Sequence, residues 1–203
     1  MYDLNLALPF ISAIRRQEAR AVGALVARYG DRTGRALEVG PGTGFYTLSL
    51  AQAFREVIAV EECAAMAQIL TDKLAAMRVD NVTVINADFR TLPLEDDFDV
   101  AAAIGVLDYV EHPAAFVAKL CAAARRAVIL SVPHRGLWGA CFAAAGRMRR
   151  TAVFRHDRGT LRAWAPGWRC SVTEVGLCTR LTKGLTLVAA LEPAQETARA
   201  RTA

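Results

Sequence analysis

Five short apolar runs, "RALEV", "EVIAVE", "VTVINAD", "DFDVAAAIGVL" and "AVILSV", alternate with stretches whose apolar residues recur at helical spacing. Each run is nearly continuous in hydrophobicity rather than alternating, so both of its faces must be covered. That condition is met by a parallel sheet with helices on both sides. The first helical stretch places Ile11, Ile14, Ala21, Val22, Leu25, Val26 and Tyr29 on one stripe and stops at the capping residue Gly30. "GFYTLSLAQAF" predicts a second helix with Phe45, Leu48 and Ala51 inward, and a third carries Met66, Ile69, Leu70, Leu74 and Met77. "PAAFVAKLCAAARR" predicts a fourth with Pro113 in its first turn. After the fifth run the pattern changes. "WRCSVTEVG" and "LTLVAALEP" are separated by about ten residues, a spacing suited to an antiparallel pair. One amphipathic helix near residues 137 to 149 and a short one near 158 to 164 fill the interval. The expected fold is therefore α/β: a doubly wound, seven-stranded, mostly parallel sheet with a C-terminal antiparallel strand and helices on both faces.

With 203 residues, 54% of them apolar, the chain can build one full core. A single domain over 1–203 is expected, with a helical cover at 1–30, an insertion at 135–168 and an unstructured tail at 194–203. The start, "MYDLNLALPF", lacks a basic leader and a cleavage site, and no apolar stretch reaches the ~20 residues of a membrane span. A soluble, cytoplasmic protein is expected. Five dispersed cysteines without a C-x-x-C pair read as small buried hydrophobes in a reducing compartment. Between His134 and Gly184 ten basic residues face two acidic ones, a local excess larger than the net +5 of the whole chain. Such a segment suits an anionic partner or is a solvated face.

The turn "GPGTG" after the first strand narrows the ligand. A dinucleotide site needs G-x-G-x-x-G, and the place of the third glycine is taken by Phe45. A P-loop needs G-K-[ST], which is absent here. Neither phosphate device fits, and a purely structural turn remains open.

In its context the sequence resembles the class I methyltransferases that use S-adenosylmethionine. Glu38-Val-Gly40-Pro-Gly42-Thr-Gly44 is similar to their first motif, acid-x-G-x-G-x-G; "VIAVEEC" supplies an acid after the second strand, and "NADFR" an acid and an apolar residue after the third. The resemblance extends over about residues 20 to 193. It implies that Glu38, Gly40, Gly42, Thr43 and Gly44 hold the methionine part of the cofactor, Glu61 with Glu62 the ribose, and Asp88 with Phe89 the adenine. Gly105, in the fourth motif, joins this cofactor set.

That fourth motif, "AIGVLDYVEHP", lies where the family meets the reacting sulfonium and the acceptor. Asp108 orients a hydroxyl or amine or acts as a weak base, or else caps the following helix. Tyr109 stacks on the acceptor or packs in the core. His112 reads as a surface residue, and His134 and His156 are the remaining base candidates, with His134 placed in the catalytic set beside Asp108 and Tyr109. The motifs of base-flipping amino methyltransferases, of cytosine-5 enzymes and of metal-dependent catechol-type enzymes are missing, so no metal is implied. The resemblance thus implies methyl transfer to oxygen or nitrogen of a small, anionic or amphipathic molecule, with 135–168 as an acceptor-side lid. "GVLDYV" and "SVPHR" are loosely similar to methyltransferases acting on Mg-protoporphyrin or phosphatidylethanolamine. Two alternatives stay open: a phosphatidylethanolamine-type N-methyltransferase in peripheral contact with a membrane, and an RNA-binding or RNA-modifying protein using the arginines. Nucleic acid is the less favoured partner.

Overall fold

The computed structural model describes residues 9–94, 98–134, 154–176 and 186–194, with side chains from Ala13 onward. The elements follow as α1 (Pro9–Tyr29), β1 (Asp31–Val39), α2 (Thr47–Ala53), β2 (Phe54–Glu61), α3 (Ala64–Ala76), β3 (Val82–Asn86), β4 (Phe98–Ile104), α4 (Pro113–Ala123), β5 (Ala124–Pro133), α5 (Arg158–Trp164), β6 (Trp168–Val175) and β7 (Thr186–Pro193). They form the expected seven-stranded sheet, in the order β3-β2-β1-β4-β5-β7-β6. Strands β1 to β5 pair in parallel, and β7 runs antiparallel between β5 and β6.

The apolar runs are continuous because the pleat distributes them between two cores. On β1, Leu37 belongs to the layer under α4 and α5, whereas Ala36 belongs to the layer under α1 and α2. The same division separates Ala101 from Val100 and Ala102 on β4, and Val128 and Leu130 from Ala127 and Ile129 on β5. Each fully buried leucine in these layers, such as Leu37 or Leu130, contributes about 2 kcal/mol of transfer free energy. The edge strand β6 instead alternates half-buried and exposed residues, as expected where one face is open to water.

Three side-chain expectations change. Helix α2 begins at Thr47, so Phe45 lies in the preceding turn and is 61% exposed. On α3 the buried stripe is Ala67, Leu70 and Leu74, which rotates Ile69 and Met77 outward. Cys63 is exposed, Cys121 buried and Cys170 half-buried, so the cysteines are not uniformly core residues; Cys141 and Cys178 lie outside the described residues. Helix α4 ends at Ala123 and β5 starts at once, because pairing of Phe98 with Ala124 draws the alanines into the sheet. The helix expected near 137 to 149 and the tail from residue 195 fall outside the described residues.

The strand order reverses direction between β1 and β4, which opens a crevice beyond their carboxyl ends. Helix α1 packs against α2 and the sheet, and its last turn is anchored to β7 at the amino end of the parallel strands: Tyr29 donates its hydroxyl to Glu192 Oε1 at 2.6 Å and Arg28 donates to the same oxygen at 2.9 Å. Burial first, and then Glu192, push the Tyr29 hydroxyl up to about 12.

Candidate functional site

The crevice is lined first by the glycine turn. Gly40, Gly42 and Gly44 have φ of +67°, +57° and +77°, in the region that favours glycine. Their reasons differ. A Cβ on Gly40 would strike Val106 and one on Gly44 would strike Leu70, so these two let the turn lie against the loop after β4 and against α3. Beside Gly42 there is no protein atom within 4 Å of where a Cβ would stand, and the same holds for Gly105 (φ +70°) after β4. These two positions are open to a ligand. Gly44 N donates to Pro41 O at 2.9 Å, closing a tight turn around Gly42 and Thr43.

Glu61, at the end of β2, is buried and braces this turn: Oε2 accepts from Gly42 N and Oε1 from Cys63 N, both at 2.9 Å. Its neighbour Glu62 is exposed and pairs with Arg90 at 3.3 Å. Asp88 sits after β3, where Oδ1 accepts from Arg90 N at 2.8 Å and both oxygens accept from Arg90 Nε. These contacts with Arg90 hold the Asp88 carboxyl below its usual range. Phe89 is buried in the core, its ring 4.7 Å from that of Phe116, so its side chain is turned away from the crevice.

The carboxylate at the end of β1 behaves differently. Glu38 is 2% exposed, and its Oε2 has no hydrogen-bond partner. Burial pushes it up to about 7; the nearby Thr47 hydroxyl and Lys73 offset part of that, while Glu61 adds to it. Thr47 Oγ1 is likewise buried without a bond of good geometry. After β4, Asp108 presents a second buried, unpartnered oxygen, Oδ1, although the residue as a whole is half-buried. Burial, then Glu18 on α1, raise it to about 7, with Arg15 opposing. Asp108 does not cap α4, whose N-terminal flanking residue is His112, an exposed residue without a capping side-chain bond. Tyr109 is 46% exposed. His134 and His156 are buried and lie side by side through a backbone bridge, His156 N donating to Pro133 O at 2.8 Å. The His156 ring stands edge-on to Trp164, centroids 4.6 Å apart.

The structure therefore gathers Glu38, Gly40, Gly42, Thr43, Gly44 and Glu61 around one turn, adds Asp88 with Glu62 on the β3 side, and sets Gly105, Asp108 and Tyr109 after β4. Four contributors escaped the sequence reading. Lys73 Nζ donates to the carbonyls of Thr43 and Gly44 at 3.1 and 3.0 Å, and Lys119 Nζ donates to those of Phe89, Arg90 and Leu92, so two helices pin the two ligand-side loops. Glu18 and Tyr46 are buried, and Glu18 lies near enough to Tyr46 and Asp108 to influence both. Their signal was present: Glu18 stands four residues from both Ile14 and Val22 on the apolar line of α1, and Lys119 lies within "FVAKLC".

A groove of about 560 Å³ opens at the opposite end of the sheet, lined by Arg32, Arg55, Arg78, Asp80 and Asn81 among others. It holds neither the glycine turn nor any of the buried unpartnered oxygens, so the chemistry is assigned to the other end.

Residues 37–131, from the last residues of β1 through the glycine turn and into β5, match the family model described as a methyltransferase domain. Protein-L-isoaspartate O-methyltransferase 2 of Nitrosospira multiformis is 33% identical over 86 residues, 42% of this chain and 41% of that protein. Ribosomal RNA small subunit methyltransferase A of Desulforapulum autotrophicum is 41% identical over 77 residues, 37% of this chain and 27% of that protein. The matches thus span less than half of either relative. Among solved structures, magnesium protoporphyrin IX methyltransferase of Synechocystis with bound SAH superposes with a TM-score of 0.70 at 21% identity, covering 89% of this chain and 84% of that one. N-methyltransferase NodS of Bradyrhizobium japonicum gives 0.64 at 12% identity, covering 87% and 97%. These likenesses establish the fold. Residues 37–131, just under half of this chain, thus resemble a methyltransferase domain, and the glycine turn with Glu38, Glu61 and Asp88 lies within them.

Proposed function

We propose that this chain transfers a methyl group from S-adenosylmethionine to oxygen or nitrogen of a small molecule. The observation that carries the reading is the buried, unpartnered Oε2 of Glu38 beside a turn whose Gly42 faces open space. A buried carboxylate oxygen without a donor is costly, and a ligand ammonium beside it removes that cost. Glu61 retains free lone pairs on both oxygens after serving Gly42 and Cys63, enough to accept ribose hydroxyls. Asp88, with Arg90 as its present partner, offers its remaining lone pairs to an adenine amino group, and Gly105 leaves room on the β4 side. Phe89 supports the adenine side through its backbone position, its ring being committed to the core.

When bound, the cofactor supplies a methyl already activated as a sulfonium, so holding the acceptor in line provides much of the acceleration. Asp108, raised to about 7, is suited to take a proton from the acceptor near neutral pH. Tyr109 is exposed beside it, and His134, buried at the end of β5, is the remaining base of the catalytic set. The region 135–168 serves as the acceptor-side lid in a single domain; its residues 135–153 lie outside the described residues. The membrane-surface and RNA alternatives rest mainly on that same stretch. Of the described basic residues between His134 and Gly184, Arg158 and Arg169 pair with Glu174 and Glu192 at 3.2 and 3.6 Å. Among the described residues no helix is long and apolar enough to cross a membrane.

Calorimetric titration of S-adenosylmethionine into the wild-type chain and Glu61→Ala tests the cofactor assignment. Binding that weakens in the variant supports it, and equal affinity refutes it. A salt titration of RNA binding by the wild-type chain tests the nucleic-acid alternative, which predicts salt-dependent affinity.

A further inference from the structure

Glu18 occupies a place on α1 that the helix otherwise reserves for apolar side chains. Ile14, Val22 and Val26 share its line at four-residue spacing and are buried, and Glu18 itself is 4% exposed. A carboxylate there costs free energy unless it is well paired. Its ion pair with Arg15 is long, 3.4 Å, and the Arg15 side chain is 43% exposed. Two further groups converge on it. Tyr46, nine-tenths buried, directs its hydroxyl close enough to Glu18 and Arg15 to be influenced by both, yet that oxygen has no hydrogen-bond partner of good geometry. Asp108, whose Oδ1 is buried and unpartnered, lies near enough to feel the charges of the same two residues, and its backbone is fixed by Phe154 N donating to Asp108 O at 2.8 Å.

Two carboxylates and a hydroxyl thus lie within the electrostatic reach of one guanidinium. The cluster carries more acceptor oxygens than donors and one more negative charge than positive. A cationic group with several N–H donors would satisfy it; another anion would not. The cofactor's ammonium is already accounted for by Glu38, which lies apart from this cluster, coupled to Thr47, Glu61 and Lys73.

We propose that Glu18, Tyr46 and Asp108 bind the methyl acceptor through a primary amine, which makes the reaction an N-methylation. The proposal rests on the methyltransferase reading above. The ammonium donates to Glu18, to the Tyr46 hydroxyl and to Asp108 Oδ1. Before transfer one proton passes from the nitrogen to Asp108, leaving a neutral amine with a free lone pair and a neutral carboxylic acid. Glu18 is a positioning residue: paired with Arg15, it orients the ammonium toward Asp108.

The test loads the protein with S-adenosylhomocysteine and titrates n-octylammonium or octanoate, two probes of equal chain length and opposite charge. Octylammonium is expected to bind and octanoate to fail. Glu18→Gln and Asp108→Asn, both isosteric, should each weaken octylammonium by about tenfold while changing S-adenosylhomocysteine affinity by less than about twofold. Tyr46→Phe should weaken it by about threefold. Should the Glu18 variant fail to fold, Asp108→Asn, at a less buried position, still discriminates. Octanoate binding as tightly as octylammonium, octylammonium affinity unchanged by the variants, or a loss confined to S-adenosylhomocysteine would each overturn the proposal. Failure of the wild-type chain to bind S-adenosylhomocysteine would instead remove the methyltransferase reading, and the amine proposal with it.

Discussion

The carboxylates at the carboxyl end of the sheet fall into two groups that differ in how they are satisfied. At the ends of β2 and β3, Glu61 and Asp88 already accept hydrogen bonds, from Gly42, Cys63 and Arg90. At the end of β1 and after β4, Glu38 and Asp108 each keep a buried oxygen with no partner and are raised to about 7. The first group organises the loops before a ligand arrives. The second holds unsatisfied acceptors, which is where ligand charge is needed. One side is therefore a preformed frame and the other a waiting site, a division that substitution can separate.

The largest effect should come from the frame. Glu61→Ala removes a brace of the glycine turn and a ribose acceptor together, and should lower S-adenosylmethionine affinity by about 100-fold in calorimetry, equivalent to roughly 3 kcal/mol. Gly42→Val imposes a β-branched side chain at φ +57° and fills the open space beside the turn; an affinity loss of about 30-fold is expected. The waiting side is read through pH. A folded-state pKa of about 7 for Glu38, above its ordinary 4.5, means that the fold favours the neutral acid. The stability this confers is complete below pH 4.5 and is lost as pH rises through 7. Glu38→Gln should accordingly stabilise the ligand-free chain at pH 8 by on the order of 2 kcal/mol and change little at pH 4, as measured by denaturant unfolding. The smallest effect is expected for Lys73→Met, which frees the carbonyls of Thr43 and Gly44 and should weaken cofactor binding by about fivefold, while the loss of a nearby cation moves the Glu38-dependent pH profile to higher pH.

Much of the frame was legible in the sequence because it is written locally. Strand, glycine turn and helix follow one another within "RALEVGPGTGFYTLSL", and each acid closes a strand of its own. The antiparallel end was legible for the same reason, from two strand-like runs too close together for a crossover helix. The waiting side was only half visible. Asp108 could be named from its motif, but whether it capped α4 or faced the crevice depended on where α1 packs, which no local pattern records. Glu18 is coupled to Asp108 across 90 positions of chain and to Tyr46 across 28, and Lys119 reaches back about 30 residues to its loop. Phe45 and Ile69 were misplaced by a turn boundary and a helical rotation, differences of a residue or two that reverse which way a side chain points.

The most direct test of the account is a crystal structure with S-adenosylhomocysteine. The account predicts the nucleoside beside Gly42 and Gly105, ribose hydroxyls on Glu61, the ammonium on Glu38 and the sulfur turned toward Asp108. Density for the ligand in the arginine-lined groove at the opposite end of the sheet, with the glycine turn unoccupied, would contradict it.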